Sequence, residues 1–213
     1  MKTLETMNNI DLNRQQLHSE TDTFTLDRYR QFARHLPGSN LRVLDCGCNT
    51  GRGGTVLRQT LQNAELYGVD LVPERIEQIP GGIYQQAVAT SAADLPFDDG
   101  FFDAIVAGEF IEHVSDPDLL ATFYEFQRVL KPGGKILLTT PNPNSYLVQM
   151  GRTHIFDEPS HVNIMSPRQL KEKLSSCGLN LANVVGSGKA SRYFGEQFPL
   201  FNVYGSYLAI VTH

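Results

Sequence analysis

The chain has 213 residues, of which 41% are hydrophobic, and this length and composition suit one globular domain with a full core. The formal net charge of −5 and the lack of a basic run count against nucleic acid as a partner, because phosphate contacts need a basic face. Residues 1–19 are polar and no window approaches the roughly 20 apolar residues of a membrane span, so no membrane association is expected. Three cysteines without a disulfide pattern favour a cytoplasmic protein.

Helical and strand patterns alternate along the chain after residue 20. Residues 20–36 have apolar side chains near helical spacing and end at Pro37-Gly38. The next segments predict strand 41–46, helix 52–63, strand 65–71, a short helix from Pro73, strand 83–89, strand 103–107, a helix capped by Asp116 that stops at Pro132, strand 135–140, helix 166–177, and strands 181–185 and 207–212. This alternation predicts an α/β fold with a doubly wound, Rossmann-like sheet between two helix layers.

A glycine loop follows the first predicted strand, where residues 43–51 have the sequence VLDCGCNTG. The loop fails the dinucleotide pattern G-x-G-x-x-G, since Asn49 and Arg52 replace two of the glycines. Asp45 precedes the loop, and its charge would repel a pyrophosphate but tolerate an ammonium or a sulfonium. Asp70 ends the second strand and is placed to accept hydrogen bonds from ribose hydroxyls, although a strand-end cap is the alternative for Asp70 alone.

Four motifs in order resemble the class I S-adenosylmethionine-dependent methyltransferases, within the small-molecule type 11/12-like group. They are VLDxGxxxG at 43–51, GVD at 68–70, ADLPFxDxxFD at 93–103 and VLKPGG at 129–134, and the resemblance covers roughly residues 41–178. It implies a three-layer αβα fold with a mostly parallel seven-stranded sheet whose last strand is antiparallel. It also implies a methyltransferase domain over 38–213, with the arm and helix of 1–37 helping to form the acceptor pocket.

The same resemblance implies S-adenosylmethionine as the cofactor. Asp45 and Gly47 would hold the methionine part, Asp70 the ribose, and Ala93 with Asp94 the adenine. The remaining expected cofactor contacts are Cys48, Asn49, Gly51, Leu71 and Glu109. Asn49 departs from the family's usual glycine, but Asn tolerates positive φ better than most residues, so binding is expected to persist.

Two polar stretches are the candidates for the methyl-transfer chemistry: Glu-Phe-Ile-Glu-His at 109–113 and Ser-His-Val-Asn at 160–163. A helical turn would place Glu109, Glu112 and His113 on one face. The pattern resembles ubiquinone-pathway O-methyltransferases and small-RNA 2′-O-methyltransferases. That resemblance implies Glu109, Glu112, His113 and His161 as ligands of Mg²⁺ or Mn²⁺, which suit carboxylate and imidazole ligands. The alternative needs no metal, with His113 and His161 lining the pocket and activating the acceptor, His161 as a general base.

The acceptor is expected in a pocket formed by the N-terminal helix, residues 141–163 and residues 193–204. Asn, Arg, His and Tyr side chains in these segments favour methyl transfer to a hydroxyl of a small polar molecule, such as a sugar, a glycan or a natural product. The alternatives are N- or C-methylation of a small metabolite, metal-dependent 2′-O-methylation of RNA, and a non-catalytic partner that binds S-adenosylmethionine.

Overall fold

The structure is a computed structural model that describes residues 13–14, 22–153 and 155–213. Apart from residues 13 and 14, the predicted N-terminal arm therefore lies outside the described residues. The elements, in chain order, are α1 (Thr25–Arg34), β1 (Arg42–Cys46), α2 (Arg52–Thr60), β2 (Glu65–Asp70), α3 (Pro73–Glu77), β3 (Gln86–Ala89), β4 (Phe102–Gly108), α4 (Asp116–Val129), β5 (Leu130–Pro141), α5 (Tyr146–Gln149), α6 (Pro167–Ser176), β6 (Asn180–Ser187), α7 (Ser191–Phe194) and β7 (Ser206–Thr212). Residues 22–213 also contain two 3₁₀ turns, Ile111–His113 and Phe201–Val203.

Within the described residues, seven strands form one sheet in the order β3-β2-β1-β4-β5-β7-β6. The pairs from β3 to β5 are parallel, whereas β7 is antiparallel to both of its neighbours. This confirms the predicted doubly wound sheet with an antiparallel last strand. The strand order reverses between β1 and β4, and ligands of such sheets bind beside that point at the carboxyl ends of the strands.

The core has two parts, one on each face of the sheet. On one face, α1 and α2 pack Phe32 and Leu57 against the sheet. On the other face, α4 and α6 contribute Phe123, Phe126 and Leu170 to the second cluster. Side chains alternate along a strand, so a residue of β1 faces one helix layer and its neighbour faces the other. The helix of the predicted N-terminal unit is therefore part of the core, while the boundary at residue 37 stays a prediction.

Several element boundaries differ from the predicted ones. The third strand begins at Gln86 rather than 83, and β5 begins at Leu130 rather than 135. The register of β5 against β4 shifts at that irregular start. The N-cap of α4 is Ser115 rather than Asp116, because Ser115 keeps the extended backbone of a cap. No helix of the described residues has the length and apolar character required to cross a bilayer.

Candidate functional site

A large cavity opens at the carboxyl ends of β1, β2 and β4, beside the switch point of the sheet. Its volume is about 1410 Å³, and its wall includes the glycine loop, Asp70, the turn after β4 and part of α1. Pockets for a single small ligand are typically about 300–1,000 Å³. The cavity therefore has room for two small molecules at the same time.

The glycine loop is held against the end of β2 by backbone hydrogen bonds. The amides of Gly47 and Cys48 both donate to the Val69 carbonyl, at 2.9 and 3.0 Å. Gly47 has φ 75°, and a Cβ there would lie 2.8 Å from Cδ2 of Phe110. Only glycine satisfies both conditions. The loop thus passes close under the ring of Phe110 and places Gly47 and Cys48 on the cavity wall.

A hydrogen bond between Asn49 and Asp70 also holds the glycine loop at the end of β2. Asn49 has φ 49°, in the left-handed region that asparagine tolerates better than most residues. Its amide donates to Oδ2 of Asp70 at 2.9 Å, while Oδ1 of Asp70 accepts from the Val72 amide at 2.9 Å. Arg75 lies 3.5 Å from the same carboxylate. Asp70 is nearly buried, so its orientation toward the cavity is fixed by these contacts.

The other predicted cofactor residues are divided between the cavity wall and its surroundings. Leu71 lines the cavity. Gly51 has φ 81°, is the N-cap residue of α2 and does not line the cavity. Asp94 is exposed, and neither it nor Ala93 borders the cavity. Asp45 is fully buried behind the loop, where it accepts hydrogen bonds from two tyrosines.

The segment after β4 differs from the helical turn considered for it. Glu109 has φ 50°, and the 3₁₀ turn begins only at Ile111. Glu109 consequently does not share a helical face with Glu112 and His113. Its carboxylate instead lies 3.6 Å from Nε of Arg28 and accepts a hydrogen bond from Ser206 at 3.4 Å. Glu109 is therefore not among the described side chains that meet as candidate metal ligands.

The three remaining predicted metal ligands come together on the cavity wall. Glu112, His113 and His161 each offer one ligand atom, and these atoms all lie within 4.8 Å of one another. Backbone contacts explain the approach of His161, since the amides of Val162 and Asn163 both donate to the Glu112 carbonyl at 2.8 and 3.0 Å. The loop before α6 is thus tied to the turn after β4.

The two imidazoles are oriented by backbone carbonyls. Nδ1 of His113 lies 3.0 Å from the Ser160 carbonyl, and Nδ1 of His161 lies 2.7 Å from the Ile155 carbonyl. A carbonyl can only accept, so Nδ1 of each neutral ring has the proton and Nε2 has the lone pair. The ring centroids are 4.9 Å apart. Burial, with a smaller effect of His161, lowers the pKa of His113 to about 4, so this ring is neutral at pH 7.

Glu112 is fully buried, and only one of its carboxylate oxygens has a hydrogen-bond partner. Oε2 accepts from Oγ1 of Thr140 at 3.1 Å, whereas Oε1 has none. Burial and the nearby charge of Glu109 raise the pKa of Glu112 well above its usual value. A buried oxygen without a partner is costly, and either a proton or a cation would satisfy it.

Comparison with known proteins identifies the family. The model of a methyltransferase domain family matches residues 17–184. The chain belongs to this methyltransferase family. It is 31% identical to a ubiquinone biosynthesis O-methyltransferase of Xanthomonas axonopodis pv. citri (strain 306), over 75% of this chain and 71% of that protein. A phthiotriol/phenolphthiotriol dimycocerosates methyltransferase of Mycobacterium ulcerans (strain Agy99) is 32% identical, over 58% of this chain and 46% of its own length.

Solved methyltransferase structures share the fold. A SAM-dependent methyltransferase from Thermotoga maritima superposes with a TM-score of 0.72 at 18% identity and covers 96% of this chain and 99% of its own. One from Archaeoglobus fulgidus has a TM-score of 0.68 at 21% identity, covering 88% and 92%. The family match, with S-adenosylmethionine as its methyl donor, therefore agrees with the fold.

The methyltransferase also has cavity residues that the sequence did not single out. Arg28 and Tyr29 of α1 reach the wall, and the Arg28 side chain is about 10% exposed. Arg28 also contacts Asp22, at 3.2 Å. Tyr29 is one of the apolar residues with helical spacing in the segment 20–36. Nothing local in the sequence shows that its face of α1 continues into the cavity.

Exposed apolar side chains surround the mouth of the cavity. Tyr146 and Leu147 of α5 and Tyr193 of α7 are exposed and border the cavity. Met150 and Phe156 are exposed in the same long segment after β5. Described residues of both 141–163 and 193–204 therefore line the cavity, as expected.

Proposed function

We propose that this methyltransferase transfers the methyl group of S-adenosylmethionine to a hydroxyl of a small acceptor with an apolar body, a natural product rather than a sugar. The observation that supports this most directly is the group formed by the buried Glu112 and the half-buried His113 and His161. It opens onto the same cavity as the glycine loop. A hydroxyl nucleophile needs its proton removed or its pKa lowered, and this group offers the side chains to do so.

The donor half of the site follows from the loop geometry. Asp70 would accept hydrogen bonds from the ribose hydroxyls, since carboxylate oxygens accept more than one hydrogen bond each. The methionine part would lie along Gly47 and Cys48, on the side of Glu109. Adenine would lie toward Ala93 and Asp94 beyond the end of β3. Fixed contacts around the loop serve to align the methyl group with the acceptor oxygen, and alignment is a large part of catalysis for an already activated methyl.

A divalent cation fits the donor set of the acceptor half. Glu112 offers a buried oxygen without a partner, and His113 and His161 have their lone pairs on Nε2. Mg²⁺ or Mn²⁺ would be held by these three side chains and would lower the pKa of an acceptor hydroxyl. The carbonyls of Ser160 and Ile155 hold the two rings, as outer contacts do in metal sites.

If no metal is used, His161 would be the base that takes the proton of the acceptor hydroxyl. Its Nδ1 donates to the Ile155 carbonyl, so Nε2 can take a proton from the hydroxyl. His113 is a poor base at pH 7, because a ring with a pKa of about 4 holds a proton weakly. In this version His113 and Glu112 line the acceptor pocket.

The rim of the cavity supports the choice of an apolar acceptor body. Tyr146, Leu147 and Tyr193 would contact the part of the acceptor away from the reacting hydroxyl. Exposed apolar patches on soluble proteins commonly mark binding surfaces. The names of the relatives from Xanthomonas axonopodis pv. citri and Mycobacterium ulcerans, a ubiquinone biosynthesis O-methyltransferase and a phthiotriol/phenolphthiotriol dimycocerosates methyltransferase, agree with this choice.

The test is methyl transfer from labelled S-adenosylmethionine to three acceptor sets: alkylated phenols and catechols, free sugars, and short RNA. Each set is assayed with EDTA, Mg²⁺ and Mn²⁺. We expect transfer to the phenols, stimulation by the cation, and at least about a hundredfold loss in His161→Ala, which is the lower end of the contribution of a general base. His213→Ala is the matched control, because His213 is exposed at the end of the chain beside Gln127.

Each outcome distinguishes the versions of the proposal. Activity that EDTA leaves unchanged and His161→Ala abolishes supports the base without a metal. Transfer to RNA or sugars but not to phenols refutes the apolar acceptor. Normal binding of S-adenosylhomocysteine with no transfer to any hydroxyl refutes O-methylation and favours a nitrogen or carbon acceptor, or a non-catalytic role.

A further inference from the structure

The carboxylate of Asp45 lies between two tyrosine hydroxyls behind the glycine loop. Oη of Tyr29 donates to Oδ1 at 2.6 Å, and Oη of Tyr84 donates to Oδ2 at 2.5 Å. Asp45 has no exposed surface and does not border the cavity. Both of its oxygens face the helix layer of α1 and α2 rather than the donor site. In this chain, each oxygen of the acid that the family resemblance assigns to the methionine part accepts a hydrogen bond from a tyrosine.

Two consecutive glycines of α2 make room for these tyrosines. A Cβ on Gly53 would lie 2.1 Å from Cζ of Tyr29, and a Cβ on Gly54 would lie 2.1 Å from the hydroxyl of Tyr84. Neither distance is compatible with a side chain. Glycine within a helix costs about 0.5–1 kcal/mol each relative to alanine, so a pair of them in a short helix points to a steric requirement. We call Tyr29, Asp45 and Tyr84 the tyrosine clamp.

The two ends of the clamp have different surroundings. Tyr29 belongs to α1 and lies on the cavity wall, next in sequence to Arg28. A Cβ on Gly108 at the end of β4 would meet both Arg28 and Tyr29, at 2.9 and 3.3 Å. Tyr84 lies in the segment before β3 and does not border the cavity. The clamp thus connects the strand of the glycine loop to the one helix that supplies Arg28 to the donor site.

We infer that Asp45 is a positioning residue that acts on the methyl donor through Tyr29, and that it makes no direct contact with the donor. The hydrogen bond to Asp45 fixes the rotation of α1 and so places Arg28 beside Glu109 at the cavity wall. This inference rests on the donor half of the proposed function and is independent of the acceptor.

The test is calorimetric titration with S-adenosylhomocysteine of the wild type, Tyr29→Phe, Tyr84→Phe, Asp45→Asn and the double variant of Tyr29→Phe with Asp45→Asn. Asn has the shape of Asp, so these variants are expected to fold, and thermal unfolding checks that they do. Its amide replaces one acceptor oxygen with a donor, so it cannot accept from both tyrosine hydroxyls. Together these variants form a double-mutant cycle. When two residues act through one contact, the free-energy effects of their substitutions do not add in such a cycle.

We expect Tyr29→Phe and Asp45→Asn each to weaken binding about tenfold, or 1.4 kcal/mol, and the double variant to be no weaker than either alone. Tyr84→Phe is the matched control, because it removes an equivalent hydrogen bond from the same carboxylate but lies off the cavity. Tyr84→Phe should lower Tm about as much as Tyr29→Phe does, but its dissociation constant should stay within about twofold of the wild type.

Two results would overturn the inference. Additive effects, about a hundredfold in the double variant, would mean that Asp45 contacts the donor by itself. If Tyr84→Phe and Tyr29→Phe weakened S-adenosylhomocysteine binding equally, the clamp would contribute only to the stability of the fold. Absence of methyl transfer to every hydroxyl acceptor, with this binding pattern intact, would refute the proposed function and leave the clamp in place.

Discussion

The stability of the protein should depend on pH in a way that can be traced to Asp45. Burial raises the pKa of this carboxyl from 3.8 to about 6, and the nearby charge of Asp70 also raises it. The two tyrosine hydrogen bonds act in the opposite direction without cancelling the effect of burial. The folded state therefore binds a proton at Asp45 more tightly than the unfolded state does.

The sign and size follow from proton linkage. A group whose folded pKa is raised contributes stability that is fully present below its unfolded pKa of 3.8 and is lost as the pH rises through about 6. A difference of about 2 pH units corresponds to about 3 kcal/mol. Asp45→Asn has no titrating group at this position, so its unfolding free energy lacks this contribution.

The assay is urea unfolding of the wild type and Asp45→Asn at a series of pH values, followed by circular dichroism. Between about pH 4 and pH 8 the wild type should lose about 2–3 kcal/mol of unfolding free energy relative to the variant. Every other titrating group is common to both proteins and cancels in the difference. A constant difference, or one in which the wild type gains on the variant as pH rises, would show that the tyrosine hydrogen bonds outweigh burial.

Three further substitutions test individual contacts. Gly47→Ala should weaken S-adenosylhomocysteine binding at least about tenfold, because its Cβ would clash with Phe110. The control is Gly133→Ala, which has a similar φ of 79° and no atom within 4 Å of the new Cβ, and which should leave binding unchanged. Equal binding by both variants would refute the clash. Arg128→Lys should lower the unfolding free energy measured in urea by about 1–2 kcal/mol. Arg128 donates to two backbone carbonyls and one carboxylate of the segment before β4, and to one carboxylate of its own helix. A loss below about 0.3 kcal/mol would contradict this. Ser166→Ala removes the capping box of α6 and should cost about 1 kcal/mol by the same assay, while Ser166→Thr should retain most of that stability.

Local patterns in the sequence were sufficient for the sheet and for the donor loop. Alternating apolar segments, glycine at φ 75° in the turn after β1 and an acid at the end of β2 are determined by neighbours only a few residues away. The tolerance of Asn49 for positive φ could be predicted for the same reason, because it depends on the side chain itself. Boundaries were less certain where a proline and two glycines interrupt the start of β5.

The active-site cluster was predicted only in part. Glu112, His113 and His161 were named from their motifs, and the structure brings them within 4.8 Å. Glu109 was included because of the family resemblance, and a helical turn would have placed it on one face with Glu112 and His113, but its φ is 50° and its carboxylate lies beside Arg28. A single backbone dihedral of this kind depends on how the chain leaves the sheet, which the local sequence does not specify.

The role of Asp45 shows what the sequence determined and what required the tertiary structure. The sequence determined that an acid precedes a glycine loop at the end of a predicted strand. The alternation of strands and helices predicted the fold, and the resemblance of four motifs implied the methyl donor. Only the tertiary structure shows that Tyr29 and Tyr84, 16 residues before it and 39 after it, both donate to that acid through the space left by two glycines. The physical reason is that secondary structure follows from short-range periodicity, whereas the partner of a buried charge is decided by which elements pack on the same face of the sheet.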